Sequence, residues 1–296
     1  MGRTALLLGG LCAALPGRVA ASPSPPPGPS NPINFTILPG HQTPGQPTRR
    51  TFLYTLAPGQ SGTDTVAVVN PSRATPLTVR LSVSDALTAP RGGGIIYNTA
   101  PVRHQIGRWL HLSTSTVTVA PYHITFVPVT LNLPASIRPG EYLGVINATN
   151  LHAATIRSGQ LHWHVYFNRQ ALVQLRVTGR ADAGLRVRTV RLTGAPSHAV
   201  LGLTLQNTGT VIDYPIATLL TIRGRTRTST MRLLLGTVLG GDATALSVAL
   251  DHAAPSGRDQ VRVQVTYLAS PVPGTRARRL QTEWNGTVVV PPGAAR

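Results

Sequence analysis

The chain has 296 residues, 27 basic and nine acidic side chains and a formal net charge of +18; every one of its non-histidine cations is arginine. Its one cysteine, Cys12, leaves no partner for an intramolecular disulfide, and nine thinly spread carboxylates argue against a glycosidase-type pair held across one sugar bond. A surface this basic attracts polyanions, but no basic helix or nucleic-acid motif accompanies it and aromatic residues make up only 5% of the chain, which argues against nucleic acid.

Residues 1–21 read as a secretory signal: Arg3 supplies the positive start, Ala5 to Leu15 a short apolar run, and Val19-Ala20-Ala21 the small residues of a cleavage site. The run is too short for a spanning helix, which needs about 20 residues. Cys12 lies inside it, so the mature chain would fold outside the cytoplasm without crosslinks, as a bacterial surface protein does more often than an animal ectodomain. Residues 22–32 (SPSPPPGPSNP) form a Pro-rich, extended linker.

A first domain is expected over residues 33–179. Leu77, Val79, Leu81 and Val83 alternate with Thr78, Arg80, Ser82 and Ser84, the period of a strand with one face in a core and one in water. Turn signals bracket such segments: Pro58-Gly59, Asn70-Pro71-Ser72, Ala89-Pro90 and the run Gly92-Gly93-Gly94, read as a plain connection. Further strands are expected at Thr51–Leu56, Asp64–Asn70, Ile95–Tyr97, Trp109–Leu112, Thr116–Ala120, Ile124–Leu133, Glu141–Ala148, Leu161–Phe167 and Ala171–Val177, with one helical turn near Val102–Gly107. Pro128 cannot donate to a ladder, so its strand is an edge or is bulged there. In Leu161–Phe167 the alternation assigns Trp163 to the core face with Leu161 and Val165, and His162 and His164 to the opposite face.

A second domain is expected over residues 180–292. Seven segments (Leu185–Leu192, Ala199–Gln206, Ile216–Arg223, Thr228–Leu235, Ala245–Leu250, Gln260–Leu268 and Gln281–Val290) suit an immunoglobulin-like sandwich. The fold class is therefore all-β: two tandem immunoglobulin-like antiparallel β-sandwich domains. VAVVNPS (Val66–Ser72) and LTLQNTG (Leu203–Gly209) rhyme, each a strand ending in an asparagine that can cap a turn or take a positive φ.

Several pieces of the first domain occur together in a recognisable order: Ala57-Pro58-Gly59-Gln60, the strand Thr63 to Asn70 with Pro71-Ser72, Asp85-Ala86-Leu87-Thr88, Ile95-Ile96-Tyr97, Trp109 with Leu112-Ser113, Val117 to Pro121, and Pro139-Gly140-Glu141-Tyr142. In this order the first domain resembles the WxL protein peptidoglycan domain, the N-terminal module of WxL-interacting proteins. The resemblance implies a surface protein that binds peptidoglycan through the first domain and presents the second to other proteins. Members of that family commonly end in a transmembrane helix with a basic tail. No such stretch is present here, so neither membrane anchoring nor partnership with a WxL protein follows, and noncovalent retention at the secreted, extracellular cell surface is expected.

Catalytic and metal chemistry find little footing. His162 and His164 have a zinc-compatible spacing but lack a third ligand nearby, and the chain has neither a G-x-S-x-G elbow nor a phosphate loop leading into a helix. No enzyme activity, cofactor or metal is expected. The candidate ligand-binding residues are Trp109, which either packs or stays half exposed, Tyr142, which caps the core, and the cations Arg80, Arg103 and Arg108, with Arg50 beside them as a further carboxylate or phosphate partner. The expected partner is peptidoglycan or an anionic wall polymer, held by arginine–carboxylate contacts and limited aromatic stacking. Two rivals remain: a pilus-type chaperone or surface-assembly protein acting by strand-edge pairing, and an enzyme whose site assembles only in three dimensions.

Overall fold

The structure, a computed structural model, describes residues 35–158, 161–194, 199–223, 228–250, 257–270 and 277–290. The expected signal, Cys12 and the Pro-rich linker lie outside the described residues.

Among the described residues the regular structure is almost entirely strand. The first sandwich is built from β1 (Thr36–Pro39), β2 (Thr51–Leu56), β3 (Ser61–Val69), β4 (Leu77–Thr88), β5 (Ile95–Tyr97), a single helical turn α1 (Ile106–Trp109), β6 (Leu110–Leu112), β7 (Thr116–Val119), β8 (Ile124–Asn132), β9 (Gly140–Asn150), β10 (Ala154–Ser158), β11 (Leu161–Val165) and β12 (Asn168–Val177). One sheet has the order β1-β3-β8-β6 and the facing sheet the order β2-β12-β9-β4-β5, with β7 also paired to β4. The alternation in the sequence is the reason. Val66 and Val68, Val127, Val129 and Leu131, and Val79, Leu81 and Val83 project into one buried core with Phe35 and Phe52. Each such side chain contributes roughly 1.5–3 kcal/mol on burial. Pairing is antiparallel except that β2 runs parallel to β12.

Pro128 lies where the neighbouring strand runs out. β6 pairs β8 only over residues 129–131, and the Pro128 carbonyl accepts the Ser113 N–H just past that end. The strand is thus neither an edge nor bulged, against expectation: β8 is internal and in unbroken register with β3, and the ladder to β6 ends at the residue that has no N–H to give.

The second sandwich carries all seven expected strands: β13 (Leu185–Thr193), β14 (Val200–Asn207), β15 (Asp213–Arg223), β16 (Thr228–Leu233), β17 (Ala243–Ala249), β18 (Gly257–Ala269) and β19 (Arg278–Val290). They form the sheets β13-β14-β17 and β16-β15-β18-β19 around Leu201, Leu203, Leu205, Leu220, Val261, Val263 and Val265. The two strand-ending asparagines play the same part in each sandwich. Asn70 Oδ1 accepts the Ser72 N–H and its amide donates to the carbonyls of Thr75, Val119 and Ala120. Asn207 Oδ1 accepts the Gly209 N–H and its amide donates to Val211 and Val238. Neither takes a positive φ; each closes a turn and pins it to the opposite sheet.

The sandwiches are bolted together, and residues Ile33–Arg296 form one compact unit. Leu143 and Ala86 on the outer face of the β4–β9 sheet pack with Ile212 and Leu239 of the second sandwich. β9 is thereby buried on both faces. The glycine run expected as a plain connection instead crosses the joint: the Gly92 N–H donates to Ala245 O, the Gly94 N–H to Thr237 O, and Gly92 O accepts from Gly236 N–H. Thr88 N–H donates to the Asp242 carboxylate and Thr88 Oγ1 accepts from Leu239 N–H. Glu141, buried, accepts from Ile212 N–H (3.1 Å) and from Ser270 Oγ (2.6 Å), with Arg176 3.5 Å away.

Asp213 lies at the same joint, fully buried, with Oδ2 accepting from Gly184 N–H and Oδ1 without a partner among the described residues. Burial pushes its carboxyl up to about 7, the Gly184 N–H works the other way, and the negative charge of Glu141 adds to the rise. The folded chain therefore keeps this proton between about pH 4 and 7 while the unfolded chain releases it. Stability falls across that window by up to roughly 1.4 kcal/mol per pH unit and is flat with respect to this group above it. Asp213→Asn is expected to remove that slope and to be more stable than the parent at pH 8, measured by urea unfolding from pH 4 to 8; identical slopes in the two proteins would contradict it.

Candidate functional site

Four of the five predicted ligand-binding residues come together beside α1. Two adjoining cavities, of about 320 and 720 Å³, meet at Arg108. The smaller is lined by Arg103, Arg108, His111, Ser82 and Ser115. The larger holds Trp109 and Tyr142 with Arg108, Arg138, His104 and the neutral polar residues Asn132 and Ser136. Arg80 is not part of either: it is exposed on β4, paired with Thr116 and Thr149. Arg50 is exposed in the loop before β2 and lines neither cavity.

The site is built from Asp85 upward. Buried at the end of the β4–β9 pairing, this carboxylate accepts the backbone N–H groups of His104 (2.6 Å), Gln105 (3.0 Å) and Gly107 (2.7 Å). Three donors on one carboxylate fix a loop of irregular backbone and satisfy N–H groups that would otherwise be left dry. Gly107 is required by space, since a Cβ there would lie 2.1 Å from Val102 O. Ile106, fully buried, sits over Gly144 of β9, where an added Cβ would meet it at 2.3 Å. So α1 is seated on β9 by a large side chain over a missing one. The turn expected near Val102–Gly107 lies a few residues later, and it takes Trp109 out of the strand assigned to it.

Seated this way, α1 brings Trp109 against Tyr142 of β9, edge to face, with ring centroids 5.2 Å apart at 78°. Both rings are half-buried and pack on the first core. The Tyr142 hydroxyl donates to Arg138 O at 2.8 Å, and burial raises its pKa, with the Arg138 charge pulling the other way. Arg103, Arg108, Arg138 and His104 are all exposed at the rim. Arg138 was missed in the sequence, although it immediately precedes the Pro139-Gly140-Glu141-Tyr142 segment.

No carboxylate opposes these cations. The first sandwich has only three acidic residues, Asp64, Asp85 and Glu141, and all are buried. Asp64 is held by His41 (2.9 Å) and Arg49. Burial alone would raise its carboxyl, but hydrogen bonds from His41, the Thr65 N–H and Arg49 bring it below its ordinary value. Arg49 and Arg176 pair with buried carboxylates, and the exposed charged side chains of this sandwich are all cationic.

A second feature stands at the other end of β9. β10 and β11 form a two-stranded sheet of their own, registered from Ala154↔Val165 to Ser158↔Leu161 and paired to neither sandwich sheet. The hairpin continues the β9–β12 pair. Asn150 joins the two, its amide donating to His152 O and its Oδ1 accepting from Phe167 N–H. Trp163 is 56% exposed and Tyr166 62%. The expectation that Trp163 faces the core is wrong. Successive strand residues point to opposite faces, and Trp163 and His164 are both exposed, so solvent lies on both sides of this arm. Alternation defined the two faces but no second sheet covers either. Among the described residues no three His, Cys, Asp or Glu side chains gather into a metal-binding group.

No family model matches the sequence, and no curated protein matches it. Solved structures similar to it include the class 5 fimbriae chaperone CfaA (9% identity, TM-score 0.43, covering 84% of this chain and 98% of that one), the YadV chaperone (10%, 0.39, 85% and 100%) and the Salmonella enterica SafA pilin–SafB chaperone complex (13%, 0.37, 78% and 90%). Likeness at this level carries neither ligand nor partner over to this chain.

Asp85→Ala strands three N–H donors and is expected to lower stability by about 3 kcal/mol, with hydrogen exchange at the Gly107 amide accelerated and the amides of β13–β19 unaffected. Unchanged protection at Gly107 would show that Asp85 does not hold α1.

Proposed function

We propose that this is an exported, non-enzymatic binding protein that engages another surface protein by strand-edge pairing along the β10–β11 arm. One observation carries the reading: a two-stranded sheet with both outer edges unpaired among the described residues, presenting Trp163 and Tyr166 to solvent. An isolated two-stranded hairpin is marginal in water, and unpaired strand edges offer a row of N–H and C=O groups to any extended segment. Main-chain hydrogen bonds would supply affinity, and the aromatic side chains the pockets for alternate residues of the partner.

Charge narrows the partner. From Asn150 to Gln170 the sequence has no acidic residue, while Arg157, Arg169 and three histidines fall within it. The matching segment is extended, with apolar residues alternating with acidic ones. No described helix is long and apolar enough to cross a membrane. Export rests on the sequence reading of residues 1–21 alone, and peptidoglycan as a ligand rests on the sequence resemblance alone.

A synthetic peptide of about ten residues alternating Val or Ile with Glu is expected to slow hydrogen exchange at outward-facing amides of β10 or β11, and a scrambled peptide of the same composition not to. Val165→Pro, which removes a donor from the arm, is expected to abolish the effect while leaving the exchange pattern of both sandwiches intact. Equal protection by the scrambled peptide, or none by either, would refute strand pairing on the arm.

A further inference from the structure

One outer face of the first sandwich is apolar and uncharged in a chain whose exposed charges are mostly arginine. On β1, β3 and β8 the residues that alternate with the core set point away from it, and none of these outward positions carries an ionisable side chain. Ile124 and Phe126 on β8 are 52% and 55% exposed, Pro128 is exposed beyond them, and the half-buried Leu38 and Val69 continue the surface on β1 and β3. Register places Ile124 beside Val69, and Phe126 beside Ala67, which in turn lies beside Leu38. These side chains form one continuous patch. Phe126 is held down on it, since a Cβ on Gly40 would lie 2.8 Å from the ring and 2.1 Å from Thr65 Oγ1. A contiguous exposed apolar face marks a contact site. The geometry points to a second copy of this chain as its occupant: two molecules pack these faces together across a two-fold axis into a weak dimer.

Charge selects both the face and the partner. Two copies of a chain with a net charge of +18 repel each other, so they come together only where arginines are not apposed. The outer face of each of the other three sandwich sheets carries exposed arginine: Arg80 on β4, Arg186 and Arg191 on β13, Arg223 and Arg262 on β15 and β18. The cations bordering the apolar face are engaged, Arg49 with Asp64 and Arg73 over the Tyr122 ring at 5.8 Å. An acidic partner is drawn to the arginine faces and finds no cation on this one. A neutral apolar face is complementary to itself, as an isologous contact requires, and two sheets stack face to face at about 10 Å.

Size sets the strength. β3 and β8, nine residues each, run about 30 Å at 3.3–3.4 Å per residue, and with β1 beside them cover about 350 Å² in projection at 4.7–4.9 Å per strand. Side chains corrugate the face, so its accessible area is larger. Two such faces still fall below the roughly 1,200 Å² at which stable complexes begin, in the range of transient ones. The contact contains no ion pair. Added salt therefore screens the repulsion between copies and leaves the apolar contact in place, so the dimer strengthens as ionic strength rises.

Sedimentation velocity of the full chain from roughly 1 μM to 1 mM tests the inference, with NaCl raised from about 0.05 to 0.5 M. Monomer is expected at the low end, dimer at the high end, and more dimer at higher salt. Ile124→Arg, at an exposed position, apposes new cations across the axis and is expected to weaken the dimer at least about ten-fold with the melting temperature unchanged. Val165→Pro on the arm is expected to dimerise as the parent does. In the parent protein the Ile124 methyl resonances are expected to shift on concentration while the Trp163 indole N–H stays in place, a readout that needs no variant to fold. A chain that stays monomeric throughout would leave the face to a different protein and overturn the inference. So would a dimer that weakens as salt is raised, parent-like dimerisation by Ile124→Arg, or loss of the dimer in Val165→Pro, which would move the contact to the arm. Peptide pairing on the arm is read from other amides with another probe, so the two proposals fail separately.

Discussion

The structure depends on carboxylates taken out of water and spent on backbone N–H groups. A chain with nine acidic residues against 27 arginines has few carboxylates, and the three in the first sandwich are all buried and hydrogen-bonded. Asp64 ties the long loop before β2 through His41 and Arg49. Asp85 gathers the three N–H groups that begin α1. Glu141 reaches across the joint to Ile212 and Ser270. Each cost of desolvation is offset by two or more hydrogen bonds, the condition under which a buried charge is tolerated. The surface consequence is electrostatic. With its three acids inside, two of them paired with Arg49 and Arg176, the first sandwich has no carboxylate among its exposed side chains.

The same strand joins these features. β9 begins at the joint with Gly140 and Glu141, presents Tyr142 to the cavity, carries Gly144 under Ile106, and ends at Asn150, where the arm departs. Because it is buried on both faces, by the first core and by the cluster with Ile212 and Leu239, it is a rigid element. The cavity beside α1 and the arm, at its two ends, are held at a fixed separation, and the second sandwich is fixed to the first by the Gly92–Gly94 crossing. A polar, highly hydrogen-bonded joint of this kind fixes orientation more firmly than the apolar area alone would.

Much of the fold was legible because period-two alternation is a direct record of a sheet with one wet face. β2 lies at its expected residues, and all seven strands of the second sandwich fall within a few residues of expectation. β1 was missed because Thr36–Pro39 is four residues long and ends in proline, and β10 because Ala154–Ser158 has no alternation to read. Trp163 was misplaced for a more instructive reason: alternation says which residues share a face, but not whether another sheet covers that face. At the site, Trp109, Tyr142, Arg103 and Arg108 were named from residue type, whereas Arg80 and Arg50 prove to lie outside it. What brings the four together was not visible. The scarcity of acids was the signal, since a lone aspartate following an alternating strand in so basic a chain is more economically read as a brace than as a surface charge.

The central claim is that the acidic residues of the first sandwich are internal braces, leaving its surface without carboxylates. Carbodiimide coupling of a small amine to the folded protein, mapped by mass spectrometry, tests it directly. The account predicts that the exposed carboxylates Asp182 and Glu283 react while Asp64, Asp85 and Glu141 stay unmodified until the chain is unfolded. Modification of those three at the rate of Glu283 in the folded protein would contradict it.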